Sequence, residues 1–184
     1  MPQPDDHIRE HPTHINPFTS ADVLSILKSE RWLTTEPTVE HLAWAERAAA
    51  LLGHYVTDRE GLAHLLQFVF TYDAAKILQS PEAHAAISRQ SARDVIRHLA
   101  LLLLLDSAPL TSDRFQELIT QLKTNLQVRS RDLFHPIRLA LAGYSGEGEF
   151  DRIILLLDEA ATLPFTTSVK SSRTRILEFC SALD

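Results

Sequence analysis

Basic and aromatic side chains concentrate between residues 123 and 138, a window that holds a single acid, Asp132. They are Lys123, Arg129, Arg131, Phe134, His135 and Arg138. Arginine and lysine bind phosphates, and aromatic rings or guanidinium planes stack on the unpaired bases of RNA. The window therefore predicts an RNA-binding patch. The structural alternative is that Arg138 bridges neighbouring helices and that the other charges are solvated.

Three further basic residues, Lys170, Arg173 and Arg175, lie near the C-terminus. They would extend the same surface if the last helix packs beside residues 133–143. The alternative is an ordinary solvated terminal helix, and the sequence favours that interpretation.

Other reactive side chains lack the partners that catalysis or metal binding requires. His7, His11 and His14 could meet on one side of a helix, but the prolines around them disfavour helix formation. Cys180 has apolar neighbours, which indicates a small core residue rather than a reactive thiol. No nucleophile can be paired with a base, and the glycines at 143–148 follow no predicted strand. We expect no catalytic residue, metal or cofactor, and hence no enzyme.

The composition is typical of a globular helical protein. The 184 residues are 45% hydrophobic and 23% charged, with five glycines, so a substantial core is expected. The lone cysteine excludes an internal disulfide and indicates a reducing cytoplasm. The net charge of -6 argues against broad, non-specific nucleic-acid binding but not against a local basic patch. The longest apolar run, residues 99–105, is too short to cross a bilayer, so no membrane association is expected.

Apolar residues recur at helical spacing through most of the chain, and no stretch alternates with period two. The expected N-caps are Thr19 or Ser20, Thr57, Ser80, Ser88 or Ser91, and Thr111 or Ser112, and a last helix begins near Ser171. Pro37 and Pro136 suit the first turn of a helix, and Gly53 and Gly143 suit helix ends.

These elements predict a compact all-α bundle or cage. The helix that contains residues 95–103 is apolar on nearly every side, so we expect it at the centre of the core. Residues 1–18 are predicted to form a flexible N-terminal arm. Residues 19–184 are predicted to form one helical domain, which could divide into subdomains at 19–106 and 107–184.

The most distinctive string is LFHPIRLALAGYSG at residues 133–146, followed by a helix rich in isoleucine and leucine. It resembles the Leu-Phe-x-Pro-Leu-Arg-x-Ala-Leu-Thr-Gly segment near the C-terminus of glutamyl-tRNA synthetases, with Ile137 and Ala142 as replacements. Upstream, the order of helices and aromatic residues also agrees, so the similarity covers about residues 20–158. The resemblance implies the all-α anticodon-binding region of that class I synthetase family.

Two departures from the family bear on function. The family's ATP-binding and aminoacylation signatures are absent: residues 14–17 lack the glycine and second histidine of the first, and the only methionine is Met1. Where the family shows Arg followed by Thr-Leu, this chain has Tyr55, Asp58 and Arg59. The resemblance therefore implies a freestanding, non-catalytic relative whose stem-contacting end is altered.

Two functions remain open at this point. The first is a non-catalytic, cytoplasmic protein that binds tRNA, with tRNA-Glu as one candidate, or a tRNA-like RNA, through residues 129–138. The second is a protein-interaction module derived from the same domain that no longer binds RNA, with a synthetase catalytic domain as a candidate partner. A continuous basic stripe on the surface favours RNA, whereas exposed apolar residues on an acidic face favour protein.

Overall fold

The computed structural model describes residues 16–184, so most of the predicted N-terminal arm lies outside the described residues. The described part contains helices and no strand, which confirms the all-α prediction. The helices are α1 (Ser20–Ser29), α2 (Val39–Leu52), α3 (Arg59–Phe70), α4 (Ala74–Leu78), α5 (Pro81–Ile87), α6 (Gln90–Leu105), α7 (Ser112–Leu126), α8 (Ser130–Ala142), α9 (Gly148–Thr162) and α10 (Ser172–Leu183), with a 3₁₀ turn at Gly53–Tyr55. No helix among residues 16–184 is long and apolar enough to cross a membrane.

Helices α8 and α9 lie at the centre of the packing. Helix α9 packs against α2, α3 and α8, and α8 also contacts α6, α7 and α10. An aromatic cluster joins the early helices to α9: the fully buried Trp44 indole donates to the Leu156 carbonyl at 3.1 Å. The Trp44 ring also packs edge-on against Phe70 and Phe165. Helices from both sides of residue 106 therefore contribute side chains to one shared hydrophobic core.

Helix α6 is less central than its composition indicates. Its first half is buried against α8 and α10 through Val95, Ile96 and Leu99. Toward its end, however, Leu101 and Leu105 are 62% and 82% exposed. The expectation that this helix lies at the centre of the core is therefore wrong for its last turns, because the neighbouring helices cover only one face there.

Short polar residues mark several helix starts as predicted. The N-caps of α1, α5, α7 and α10 are Thr19, Ser80, Thr111 and Ser171. At α3 the cap is Asp58, whose carboxylate accepts the Gly61 N–H at 2.7 Å, so the predicted Thr57 cap is one residue early. At α2 the cap is Thr38, which leaves Pro37 outside the first turn.

Two further helix starts differ from prediction. Arg89 rather than a serine precedes α6. Helix α8 begins at Ser130, so Pro136 lies inside it instead of starting it. Proline lacks an N–H and therefore cancels one intrahelical bond, but the buried Leu133 and Ile137 on either side hold the helix together. Gly143 ends α8 with a φ of 86°, as predicted.

Candidate RNA-binding surface

Helix α8 separates the residues of the predicted basic and aromatic patch. Phe134 lines a cleft with α7 and α9, whereas Arg131 and His135 line a second pocket with α5 and α6. Arg138 is only 9% exposed. Successive residues of a helix are rotated by about 100°, so Phe134 and His135 serve different surfaces although they are neighbours in sequence.

The Phe134 cleft has a volume of about 400 Å³. Its polar and aromatic lining residues are Tyr55, Ser112, Phe115, Gln116, Thr120, Phe134, Asp151 and Arg152. Tyr55 is 46% exposed and comes from the turn after α2, far from α8 in sequence. The cleft thus combines three aromatic rings, of which Tyr55 and Phe134 are more exposed than Phe115, with hydroxyl and amide groups. This lining suits the π-face and the polar edge of an unpaired nucleobase.

Arg138 holds one wall of this cleft in place. Its Nε and Nη2 each donate to a carboxylate oxygen of Asp151 at 2.9 Å, and its Nη1 donates to the Gly146 carbonyl at 3.3 Å. The guanidinium carbon lies 5.0 Å from the centre of the Phe134 ring. Because every side of the guanidinium is engaged within the chain, Arg138 positions Phe134 and the loop before α9 rather than facing solvent. These contacts match the alternative given for Arg138 in the sequence analysis, in which it bridges neighbouring helices.

Four cations near the cleft and the start of α8 remain exposed: Lys123, Arg129, Arg131 and Arg152. Within residues 16–184, none of them has a carboxylate at salt-bridge distance. The Lys123 ammonium lies 5.8 Å from the centre of the Phe134 ring. Unpaired, exposed cations can bind phosphate without first breaking an internal ion pair.

The second pocket, on the other side of α8, has a volume of about 350 Å³ and includes Arg89, Arg131, Asp132 and His135. Arg89 donates to Asp132 at 3.0 Å. Partial burial lowers the pKa of His135 below its usual range, and the nearby Arg131 and Arg138 guanidiniums lower it further. Burial and, after it, the two guanidiniums therefore both favour the neutral imidazole.

A comparison with models of known families matches residues 20–163 to the anticodon binding domain. This stretch covers most of the chain and includes both walls of the Phe134 cleft. The chain belongs to the anticodon-binding domain family. Searches of curated proteins and of solved structures found no match.

The anticodon-binding domain differs from the glutamyl-tRNA synthetase pattern at the start of α3, and the structure shows what those residues do. Asp58 caps α3, and Arg59 donates to the hydroxyls of Ser25 and Ser29 at 2.8 and 3.0 Å. Tyr55 lines the Phe134 cleft. The altered element thus ties α3 to α1 and supplies an aromatic residue to the candidate site.

The C-terminal basic residues lie at the other end of α8. Arg175 is fully buried and donates to the Leu141 carbonyl, so it neither extends the basic surface nor is solvated, as the favoured alternative of a solvated terminal helix expects. Lys170 donates to the Tyr72 carbonyl and to Glu178, and Arg173 is partly buried. Residues 131 and 141 are about 15 Å apart along a helix, so within residues 16–184 these cations lie well away from those at the start of α8.

The remaining chemical candidates stay isolated in the described part of the chain. Partial burial raises the pKa of the Cys180 thiol, which favours the neutral form. No group of three or more potential metal ligands lies close together among residues 16–184. His7, His11 and His14 lie outside the described residues.

Tyr55 and Arg152 line the candidate site but are not among the residues that the sequence predicts for it. In the sequence, Tyr55 stands out only as a departure from the synthetase pattern, and Arg152 lies on α9 outside the basic window. No local signal marks either residue, because both reach the cleft only through the packing of α9 against α3 and α8.

Proposed function

We propose that this anticodon-binding domain binds tRNA and accepts unpaired bases of the anticodon loop in the Phe134 cleft. The observation that carries the proposal is the pairing of Tyr55 with Phe134 in one cleft beside unpaired cations, within the stretch that matches the family. Aromatic side chains bind splayed-out bases by stacking, and each stacked base contributes about 1–3 kcal/mol. Gln116 and Thr120 supply hydrogen-bonding groups at the edge of the cleft.

The phosphates of the loop would contact Lys123, Arg129, Arg131 and Arg152, which are exposed and unpaired within the described residues. Arg138 acts as a positioning residue, since its guanidinium is bound to Asp151 and Gly146. We assign no phosphate contact to Lys170 or Arg173, which lie away from the cleft. His135 borders the same basic surface from the second pocket.

The RNA we propose is tRNA, with tRNA-Glu as the first candidate and a tRNA-like RNA as the alternative. The choice of tRNA-Glu rests on the resemblance of residues 133–146 to glutamyl-tRNA synthetases. We propose a binding role without catalysis, exercised in the cytoplasm. The matched family is named for binding. The residues of the Phe134 cleft include no nucleophilic side chain placed beside a general base.

The proposal is tested by measuring the affinity of the full chain for total tRNA and for tRNA-Glu over a salt series. Each phosphate contact contributes about 0.7–0.9 to the slope of log affinity against log salt. The triple variant K123Q/R129Q/R152Q should therefore lower that slope by about 2. The control K28Q/K76Q removes two exposed cations on α1 and α4, away from both pockets, and should leave the slope unchanged. Absence of wild-type binding at low salt would refute the proposal.

Stacking is tested separately at Tyr55. Tyr55→Ala should weaken tRNA binding by about 5- to 150-fold, which corresponds to the loss of one stacked base. Tyr55→Phe keeps the ring and should bind like the wild type. Equal affinity of all three proteins would remove the cleft from the binding site.

The alternative function, a protein-interaction module, is favoured by one observation. Leu101 and Leu105 at the end of α6 are exposed, and Leu177 on the adjoining helix α10 is 48% exposed. Exposed apolar residues on neighbouring helices are common at protein interfaces. A synthetase catalytic domain is the candidate partner. Titration with that domain, with Leu101→Lys as the disruptive variant, would distinguish this function from RNA binding.

A further inference from the structure

Three arginines follow one another along one exposed side of α6: Arg89 at its N-cap, Arg93 and Arg97. All three are exposed. A spacing of four residues places side chains on one side of a helix with a rise of about 6 Å. The neighbouring side of α6 is buried against α8 and α10, and Arg93 and Arg97 border a shallow groove with the end of α10. The Arg89–Arg97 ridge, as these three residues are called below, is therefore a regular row of guanidiniums facing solvent.

The ridge keeps most of its donor groups free. Arg93 uses its Nε for the Ile87 carbonyl at 3.1 Å, which leaves both terminal nitrogens available. Neither Arg93 nor Arg97 has a carboxylate at salt-bridge distance within residues 16–184. Only Arg89 is paired, with Asp132.

Nearby acids limit but do not cancel this charge. The Asp94 carboxylate accepts a hydrogen bond from the Gln90 amide at 3.1 Å, and Asp184 shares a shallow groove with Arg93 and Arg97. Neither acid is close enough to either arginine to form an ion pair in the described structure. The guanidiniums of Arg93 and Arg97 therefore remain able to bind an anionic ligand such as a phosphate.

The ridge is continuous with the proposed tRNA-binding surface. Arg89 and Arg131 line the same pocket, whose two acids are each engaged within the chain: Asp132 pairs with Arg89, and Glu82 accepts a hydrogen bond from the Tyr144 hydroxyl. Arg131 in turn follows Arg129 at the start of α8. A path of cations therefore runs from the Phe134 cleft over the first turn of α8 and onto α6.

We propose that the Arg89–Arg97 ridge binds the phosphate backbone of the RNA, so that the footprint continues from the Phe134 cleft around α8 and along α6. The inference rests on the proposed function and extends it to a face that the sequence did not single out. A row of planar guanidiniums matches a polyanion with regularly spaced charges, because each fork can bind one phosphate through two hydrogen bonds. The contacts carry no base specificity.

The test is the salt dependence of tRNA binding by the R93Q/R97Q variant, with K28Q/K76Q as a control of equal charge change. Two lost phosphate contacts should lower the slope of log affinity against log salt by about 1.5. The control should retain the wild-type slope. The loss in R93Q/R97Q should be the same for tRNA-Glu and for other tRNAs, since the ridge touches no base.

The outcomes separate this inference from the function on which it rests. If R93Q/R97Q keeps the wild-type slope while K123Q/R129Q/R152Q lowers it, phosphate binding by the ridge is refuted and tRNA binding at the Phe134 cleft is supported. If R93Q/R97Q and K28Q/K76Q lower the slope equally, general charge explains the effect and the ridge is again refuted. If the wild type binds no tRNA, the proposed function itself fails.

Discussion

Replacement of Arg175 should destabilise the domain strongly, because this side chain connects three helices from a fully buried position. Its guanidinium donates to the carbonyls of Phe68 and Val69 at 2.9 and 2.7 Å. It also donates to the carbonyls of Leu141 and Lys170 at 3.0 and 2.9 Å. The first three acceptors lie at the C-terminal ends of α3 and α8, where unpaired carbonyls and the helix dipole both favour a cation.

The magnitude follows from the number of acceptors that lose their donor. A buried polar group left unsatisfied costs about 1 kcal/mol or more, and four such groups cost about 4 kcal/mol. Water can reach some of them in a variant, so we expect Arg175→Met to lose about 3–4 kcal/mol. That is a large part of a typical unfolding free energy of about 5–15 kcal/mol.

Urea unfolding at pH 7 measures this loss as a shift of the midpoint. With a slope of about 2 kcal/mol/M, the midpoint of Arg175→Met should fall by about 1.5 M or more. Arg175→Lys keeps the charge but reaches fewer carbonyls, so its unfolding midpoint should lie between those of Arg175→Met and the wild type. Arg173→Met, at a partly buried neighbour, is the matched control. An Arg175→Met variant within 1 kcal/mol of wild type would refute the reasoning.

Three further predictions concern α8 and its ends. Asp151→Asn removes the charge that fixes Arg138 and should cost about 2 kcal/mol in urea unfolding; a loss below 0.5 kcal/mol, the size of an ordinary surface substitution, would contradict the positioning role. Arg131→Ala should raise the pKa of His135 in an NMR titration, because the Arg131 charge helps to lower it. The folded-state pKa of His135 lies below its unfolded value, so its contribution to stability is complete above pH 6.5 and is lost as pH falls through the folded pKa. An unchanged His135 pKa in the Arg131→Ala variant would show that the two side chains do not interact. Gly143→Ala should lower the thermal midpoint, since φ is 86° and an added Cβ would lie 3.3 Å from Ile77; a cost of about 1 kcal/mol or more is expected, and an unchanged midpoint would argue against this helix end.

Much of the fold could be predicted because its signals are local. A threonine or serine before an amphipathic run identifies a helix start, as at Thr19, Ser80, Thr111 and Ser171. At α3, Thr57 and Asp58 are both good caps, and the sequence cannot rank them. The exposed leucines of α6 could not be predicted, because composition gives the apolar content of a helix but not which neighbours cover it.

The sequence predicts one basic and aromatic patch, whereas the structure distributes its residues over two sides of α8, and this difference follows from one helix boundary. The sequence predicts that Pro136 starts a helix, which would leave residues 129–135 outside it. With α8 beginning at Ser130, helical geometry places Arg131 near His135 and Phe134 near Arg138, on different sides. Tyr55 and Arg152 join the cleft through tertiary packing, which a single sequence does not reveal.

The most direct test of the central claim is a competition between two RNA fragments for the tRNA-binding site of the full chain. One fragment is the isolated anticodon stem-loop of tRNA-Glu, and the other is an acceptor-stem minihelix of similar length and charge. If the anticodon binds in the Phe134 cleft, the stem-loop should displace labelled tRNA from the wild type and lose this ability against Tyr55→Ala, whereas the minihelix should compete weakly with both. Equal competition by the two fragments, unaffected by Tyr55, would contradict binding of the anticodon in the Phe134 cleft.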